Sequence, residues 1–198
     1  KYPPNLKETE DCPVGIFVRG TLPDYSKKFL AVVGSRRCTQ YGATTAHSIS
    51  KELAQRGVVI VSGMADGIDS MAHRGALDGD GFTVAVLGCG ADVCYPAGNR
   101  ELMARILERG CIISELPPGT RPSKYTFPAR NRIISGLSNV VAVIEADERS
   151  GTLITVNHAL DQGRDVMALP GNINSRLSRG TNRLIKEGAA IITSVDDV

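Results

Sequence analysis

The chain has 198 residues, of which 42% are hydrophobic and 22% are charged, and its formal net charge is +2. This length fills one hydrophobic core well and is short for two, so we expect a single domain over residues 1–198. No run of about 18 apolar residues occurs, and the N-terminal stretch lacks the apolar segment of a signal peptide. The sequence therefore favours a soluble, cytoplasmic protein without a membrane span.

Short apolar runs rich in valine and isoleucine recur along the chain, bounded by glycine or serine and alternating with helical patterns. The predicted strands cover residues 15–20, 29–34, 58–63, 83–88, 111–115, 140–146, 165–171 and 189–193. The predicted helices cover residues 40–56, 68–78, 99–109, 128–137, 152–162 and 180–187. Continuous apolar runs are typical of strands covered on both faces, and alternation with helices indicates parallel pairing. We therefore predict a doubly wound α/β domain, with residues 15–20 at a sheet edge.

The turns that follow these strands combine glycine with serine, threonine or asparagine. Examples are "GSRRCT" at 34–39, "SGMADGID" at 62–69 and "DERSGTLIT" at 147–155. In an open α/β sheet, ligands bind beyond the carboxyl ends of the strands, where such turns enter helices. Glycine allows close backbone approach, and exposed N–H groups at helix starts bind anions. Together the turns predict a rim that binds phosphates, although each alone could serve only the turn.

The common nucleotide and catalytic signatures are absent from the sequence. There is no GxGxxG after the first strands, no GxxxxGK[ST] and no GxSxG elbow. His47, His73 and His158 are isolated, and the five cysteines have no zinc-type spacing. We therefore expect no catalytic residue, no metal and no cofactor, and favour a binding protein over an enzyme.

Two basic segments suggest which phosphate ligand is bound. Residues 25–51 contain five basic residues and no acid, and none of the residues between Glu115 and Glu145 is acidic. Arg36 and Arg37 follow the second strand, and the planar guanidinium suits phosphate oxygens. In "PSKYTFPARNR", Lys124, Arg130 and Arg132 flank two aromatic residues, and cations combined with rings are typical of single-stranded nucleic-acid sites. Tyr125 and Phe127 could instead be core residues, and the sequence leaves both readings open.

These motifs resemble a known family. "GSRRCTQYG", "VSGMADGIDSMAHRGAL", "SELPPGTRPSKYTFPARNRIISGLS" and "EADERSGTLITVNHALDQGRDVMALPGN" are similar, in order, to the core of the DNA processing protein A (DprA, or Smf) family. The resemblance spans nearly the whole chain and implies an extended Rossmann-like, mostly parallel sheet with helices on both faces. It also implies a non-enzymatic, homodimeric mediator that binds and protects incoming single-stranded DNA and loads RecA during natural transformation.

The resemblance also implies which residues contact DNA. The candidates lie after the first glycine turn, in the "SKYTFPAR" segment and in two further turns: Arg36, Arg37, Ser62, Gly63, Lys124, Phe127, Arg130, Ser150, Gly151 and Thr152. One departure is Ala97 in "YPAGN", where many relatives carry a basic residue, so that flank is expected to bind more weakly or to rely on Arg100. Members often have flanking SAM-like and winged-helix-like domains, which are not visible in this sequence. Apolar residues near the C-terminus, such as Leu177, Leu184 and Ile185, are candidates for a dimer face.

The alternative is a nucleotide-processing enzyme of the LOG, or phosphoribohydrolase, group. That group shares a glycine-threonine turn at a helix start, here Ser150-Gly151-Thr152. Its PGGxGTxxE signature is missing, because Arg149 and Ser150 stand where two glycines are required.

Overall fold

A computed structural model describes residues 2–198, and their eight strands join one sheet. The strands are β1 (Phe17–Gly20), β2 (Phe29–Val33), β3 (Val59–Ser62), β4 (Thr83–Val86), β5 (Gly110–Ser114), β6 (Val140–Val143), β7 (Asp165–Ala168) and β8 (Ala190–Ile191). Their order in the sheet is β1-β5-β4-β3-β2-β6-β7-β8. Every neighbouring pair is parallel except β1 with β5. The predicted mostly parallel α/β sheet is confirmed.

Seven α-helices occur within residues 2–198. They are α1 (Pro4–Lys7), α2 (Gln40–Gln55), α3 (Ile68–Asp78), α4 (Arg100–Arg109), α5 (Thr126–Leu137), α6 (Thr152–Asp161) and α7 (Arg179–Lys186). Helix α1 precedes β1, and the other six lie between strands. Alternate residues of β2 show that both faces are covered. Phe29, Ala31 and Val33 pack in one buried cluster with α5 and α6, whereas Leu30 and Val32 pack in another with α2 and α3. Both sheet faces are therefore buried, as the continuous apolar runs require.

The helices differ from the sequence prediction by more than one residue at two places. The short helix α1 was not predicted, because four residues are too few for a periodic apolar pattern. Helix α5 begins at Thr126, two residues before the predicted start, and ends at Leu137. Gly136 lies inside this helix, where an added Cβ would come within 2.8 Å of Leu6 Cδ1 in α1. This glycine therefore permits the close approach of α1.

The strand order places one crevice at the centre of the sheet. The chain runs outward from β2 through β3 and β4 to β5, and then returns to β6 on the other side of β2. The loops after β2 and β6 consequently lead in opposite directions. Such a switch point, beyond the carboxyl ends of the strands, is where open α/β sheets bind ligands.

Candidate nucleic-acid interface

A cavity of about 590 Å³ opens at this switch point. It is bounded by the turn after β2, the residues that lead into α5 and the turn at the start of α6. Its lining includes Gly34, Ser35, Arg36, Ala65, Asp69, Tyr95, Ser123, Lys124, Phe127, Arg130, Asn131, Ser150, Gly151, Thr152 and Ile154. The structure thus brings together three segments that are far apart in the sequence. Seven of the ten predicted contact residues line this one cavity, and the turn at the start of α6 contributes three of them.

Buried Glu145 fixes the turn after β2. Its carboxylate follows β6 and accepts hydrogen bonds from the Thr39 amide at 2.8 Å and the Thr39 hydroxyl at 2.5 Å. The Thr39 hydroxyl in turn accepts the Gly42 amide at 3.2 Å, which caps helix α2. Because Glu145 ties the end of β6 to the start of α2, it holds the Arg36 turn against the cavity.

Phe127 lies in a cluster with Tyr95 and Arg36. The Phe127 and Tyr95 rings stack with their centroids 5.3 Å apart and an interplanar angle of 28°. The guanidinium carbon of Arg36 lies over the Phe127 ring, 5.2 Å from its centroid. Phe127 is half-buried, while 40% of Tyr95 is exposed. Cation and ring surfaces are therefore presented together at the mouth of the cavity.

Lys124 and Tyr125 form a second cation–ring pair. The Lys124 ammonium lies 5.0 Å from the centroid of the Tyr125 ring, and Lys124 lines the cavity. Tyr125 is 75% exposed, so the reading of this ring as a core residue is wrong. Tyr125 does not line the cavity itself, which leaves its ring outside the site.

Arg130 lies beneath the cavity and is only 6% exposed. Its Nη1 group donates to the Gly63 carbonyl at 2.9 Å and also to the Val86 carbonyl. Burial lowers the pKa of Arg130 to about 10, and the neighbouring Asp69 carboxylate acts in the opposite direction. Burial likewise raises the pKa of Asp69, against the effect of Arg130. These contacts favour a structural role for Arg130 and weigh against the predicted DNA contact.

Ser62 and Gly63 are also buried, and neither lines the cavity. The Ser62 hydroxyl donates to the Val32 carbonyl at 2.6 Å. A Cβ on Gly63 would come within 2.6 Å of both the Arg130 guanidinium and the Asp69 carboxylate. Only glycine fits at position 63, because the two charged side chains leave no room for a Cβ. The predicted phosphate contacts of Ser62 and Gly63 are not supported, since both residues are buried.

The turn at the start of α6 does face the cavity. Ser150, Gly151 and Thr152 all line it, and the Thr152 amide donates to the Ser150 hydroxyl at 3.2 Å. No atom lies within 4 Å of a Cβ built on Gly151, so the backbone is open to a ligand at this point. A turn of this kind at a helix N-terminus suits an anion.

Arg37, Ala97 and Arg100 also lie outside the cavity lining. All three are exposed to solvent. Conversely, Tyr95, Asn131 and Ile154 line the cavity and were not predicted. Tyr95 is the first residue of the "YPAGN" turn, and this aromatic residue in a loop after a strand could have indicated a stacking site.

No group of three potential metal ligands occurs within residues 2–198, and none of the helices there is long and apolar enough to cross a membrane. His73 is buried, its Nδ1 lies 2.7 Å from the Thr83 hydroxyl oxygen, and burial lowers its pKa to about 3. It is therefore a neutral core residue. His47 instead pairs with Asp78 on the surface.

Comparisons with known proteins agree on one family. The family model described as DNA recombination-mediator protein A matches residues 1–198. The DNA processing protein DprA of Streptococcus pneumoniae is 47% identical over all of this chain and 70% of its own length. The protein Smf of Escherichia coli is 46% identical over all of this chain, which spans 53% of that relative.

Solved structures give the same result. The S. pneumoniae protein has a TM-score of 0.95 at 47% identity, with 100% of this chain and 69% of that chain covered. DNA processing protein A from Helicobacter pylori has a TM-score of 0.90 at 32% identity, with 100% and 90% covered. The H. pylori structure was determined to describe that protein's single-stranded DNA binding mode.

Proposed function

Because the chain belongs to the DNA recombination-mediator protein A family, we propose that it binds single-stranded DNA in the switch-point cavity and acts as a recombination mediator. The observation that carries this proposal is the combination of Arg36 and Lys124 with the Phe127–Tyr95 stack in one open cavity. Single strands follow charge with their backbone and stack their bases on rings. The single-stranded DNA binding mode of the H. pylori relative supports the same ligand class.

The predicted residues divide into two roles in this proposal. Arg36 and Lys124 bind phosphates through charge, Phe127 supports a stacked base, and Ser150, Gly151 and Thr152 offer polar groups to a phosphate. Arg130, Ser62 and Gly63 hold the floor of the cavity in place through the contacts described above. Arg37 binds the strand from outside the cavity.

The proposal extends to partners and setting. We infer that the protein forms a homodimer in the cytoplasm, protects incoming single strands and loads RecA onto them during natural transformation. Leu177, Leu184 and Ile185 are half-buried, and Leu184 packs against the core, so the exposed Leu160 and Ile191 are better dimer candidates.

Since the chain spans 70% and 53% of the two curated relatives, we propose that residues 1–198 form the DNA-binding domain.

We also propose that the protein is not an enzyme. Arg130 and Asp69 lie at the cavity floor. Both side chains pack against the Gly63 backbone and interact through their charges, so neither is placed to act on a substrate. Incubation with nucleoside monophosphates tests the phosphoribohydrolase alternative, because that activity releases a free base. Release of base at a rate that depends on protein concentration would overturn this part of the proposal.

A titration with fluorescent oligonucleotides tests the binding function. Single- and double-stranded forms of one sequence are compared at two salt concentrations, with the parent chain and Lys124→Ala. We expect tighter binding of the single strand, weakened by salt and by the substitution. The Lys27→Ala/Lys28→Ala variant is a matched control, because these exposed lysines precede β2 at the opposite end of the sheet. Equal or tighter binding of the duplex would contradict the proposal.

A further inference from the structure

A second group of exposed cationic and aromatic side chains lies beside the cavity, at the carboxyl ends of β2, β6 and β7. We call it the rim surface and define it by Arg37, Tyr41, Arg149, Arg176 and Arg179. All five side chains are exposed, and none lines the cavity. Two of them directly follow or precede cavity residues in the chain, since Arg37 follows Arg36 and Arg149 precedes Ser150. The rim surface is therefore continuous with the cavity.

Three contacts join the loops that carry these side chains. The Tyr41 hydroxyl, in the first turn of α2, donates to the Pro170 carbonyl after β7 at 3.0 Å. The Arg176 Nε group donates to the Asp147 carboxylate after β6 at 2.5 Å. The Gly180 amide donates to the Ala146 carbonyl at 2.9 Å, which fixes the start of α7 against the same loop. The rim surface is thus a connected surface built from three neighbouring strand ends.

Charge on the rim surface favours an anionic ligand. Arg176 is paired with Asp147, but Arg37, Arg149 and Arg179 have no ion-pair partner within 4.0 Å among residues 2–198. The acidic residues of the β6 loop are Asp147 and Glu148. The hydrogen bond from Arg176 holds the pKa of Asp147 below its usual value, so this carboxylate stays ionised beside its arginine. Three unpaired guanidinium groups remain for phosphates.

Tyr41 supplies a ring with restricted motion. It is 51% exposed, yet its hydroxyl is fixed by the Pro170 carbonyl and its backbone belongs to α2. A ring that is held at its polar tip and open on its side loses little freedom when a base stacks on it. Tyr41 therefore adds an aromatic platform to the unpaired arginines.

We propose that a single strand longer than the cavity continues over the rim surface, with phosphates bound by Arg37, Arg149 and Arg179 and a base stacked on Tyr41. The inference rests on the proposed function, because it extends the same ligand beyond the same cavity. Adjacent strands lie about 4.8 Å apart, so the strand ends from β2 to β7 span about 10 Å. This distance accommodates a short additional stretch of strand. The rim surface thus gives the protein an affinity that grows with the length of the DNA.

Binding measured over a series of oligonucleotide lengths tests this inference. Fluorescence anisotropy compares the parent chain with Tyr41→Ala/Arg179→Ala. We expect equal affinity for the shortest oligonucleotides that bind, and loss of most of the gain in affinity that the parent shows as length increases. On long oligonucleotides, loss of the Arg179 contact should reduce the salt slope by about 0.7. The Lys27→Ala/Lys28→Ala control removes charge at the opposite end of the sheet and should follow the parent at every length.

The outcomes separate the rim surface from the cavity. If Tyr41→Ala/Arg179→Ala binds like the parent at every length, or loses the same factor at every length, the rim surface is overturned while the proposed function stands. If sedimentation shows that the variant instead loses self-association, the surface is an interface between copies of this chain and the inference is wrong. If Lys124→Ala leaves binding unchanged while the rim variant loses its length dependence, the cavity assignment fails and the rim surface is supported.

Discussion

The guanidinium carbon of Arg36 lies 5.2 Å from the centroid of the Phe127 ring, which joins the turn after β2 to the start of α5. Because Tyr95 stacks on the same ring, the loop after β4 joins this cluster through Phe127. The charge that would bind a phosphate and the rings that would bind a base therefore hold one another in position.

Replacement of Arg36 should weaken single-strand binding through loss of charge. We expect Arg36→Ala to cost about 1.5–3 kcal/mol of binding free energy, as for other hydrogen bonds to charged groups. The salt dependence should also flatten by about 0.7 per lost phosphate contact. Anisotropy titrations at several salt concentrations measure both quantities. A salt slope that stays the same in Arg36→Ala, with Lys27→Ala as the control, would remove Arg36 from the site.

Replacement of the two rings should weaken binding without changing the salt slope. Phe127→Ala and Tyr95→Ala are each expected to cost about 1–3 kcal/mol, because each removes part of the stacking surface. Tyr95→Phe keeps the ring and should bind like the parent. Titrations at one low and one high salt concentration distinguish this effect from the loss of a cation. Parent-like affinity in both alanine variants would show that no base stacks on this cluster.

Arg130 should matter for stability more than for direct binding. Its guanidinium is buried and donates to the carbonyls of Gly63 and Val86. Arg130→Ala removes the donor from these two carbonyls and the nearby positive charge from the buried Asp69 carboxylate. The variant should lose about 3–5 kcal/mol of the free energy of unfolding. Urea denaturation measures this loss. The exposed Arg121→Ala is the matched control and should stay within about 0.5 kcal/mol of the parent. An Arg130→Ala variant of parental stability would refute the structural role.

His73 should make the stability depend on pH in the acid range. Burial lowers its folded-state pKa from 6.5 to about 3, so the unfolded chain binds its proton first as pH falls. The stabilisation is intact above pH 6.5 and is lost between about 6.5 and 3, by at most about 1.4 kcal/mol per pH unit. Buried Asp69, whose pKa is raised, acts in the opposite direction. The test therefore compares the pH slope of the parent with that of His73→Gln.

The expected result is a shallower loss of stability with acid in His73→Gln than in the parent. Parallel pH profiles for the parent and His73→Gln would show that His73 is not the group responsible.

The sheet could be predicted because its signal is local. Each strand carries its own apolar run, and burial of β2 on both faces follows directly from that pattern. The turn residues after the strands could be predicted for the same reason, since the fold brings the carboxyl ends of parallel strands to one edge.

The burial of Arg130 could not be predicted, because its acceptors lie at the carboxyl ends of β3 and β4, far from it in the sequence. The pattern of "PSKYTFPARNR" suggested one exposed basic segment. Only Lys124 fits that pattern, because Arg130 is buried and Arg132 pairs with Glu115 at 2.6 Å. The role of Tyr95 was missed for a related reason. It lies in a loop without periodic pattern, and only the meeting of that loop with α5 places its ring on Phe127.

Photocrosslinking with a single strand that carries iodouracil tests the central claim most directly, because the halogenated base couples to an aromatic ring that it contacts. Peptide mass spectrometry then locates the adduct. Binding in the switch-point cavity predicts adducts at Phe127 or Tyr95 that disappear when unlabelled single strand is added in excess. Adducts confined to the opposite end of the sheet, such as Tyr25 beside Lys27 and Lys28, would contradict it.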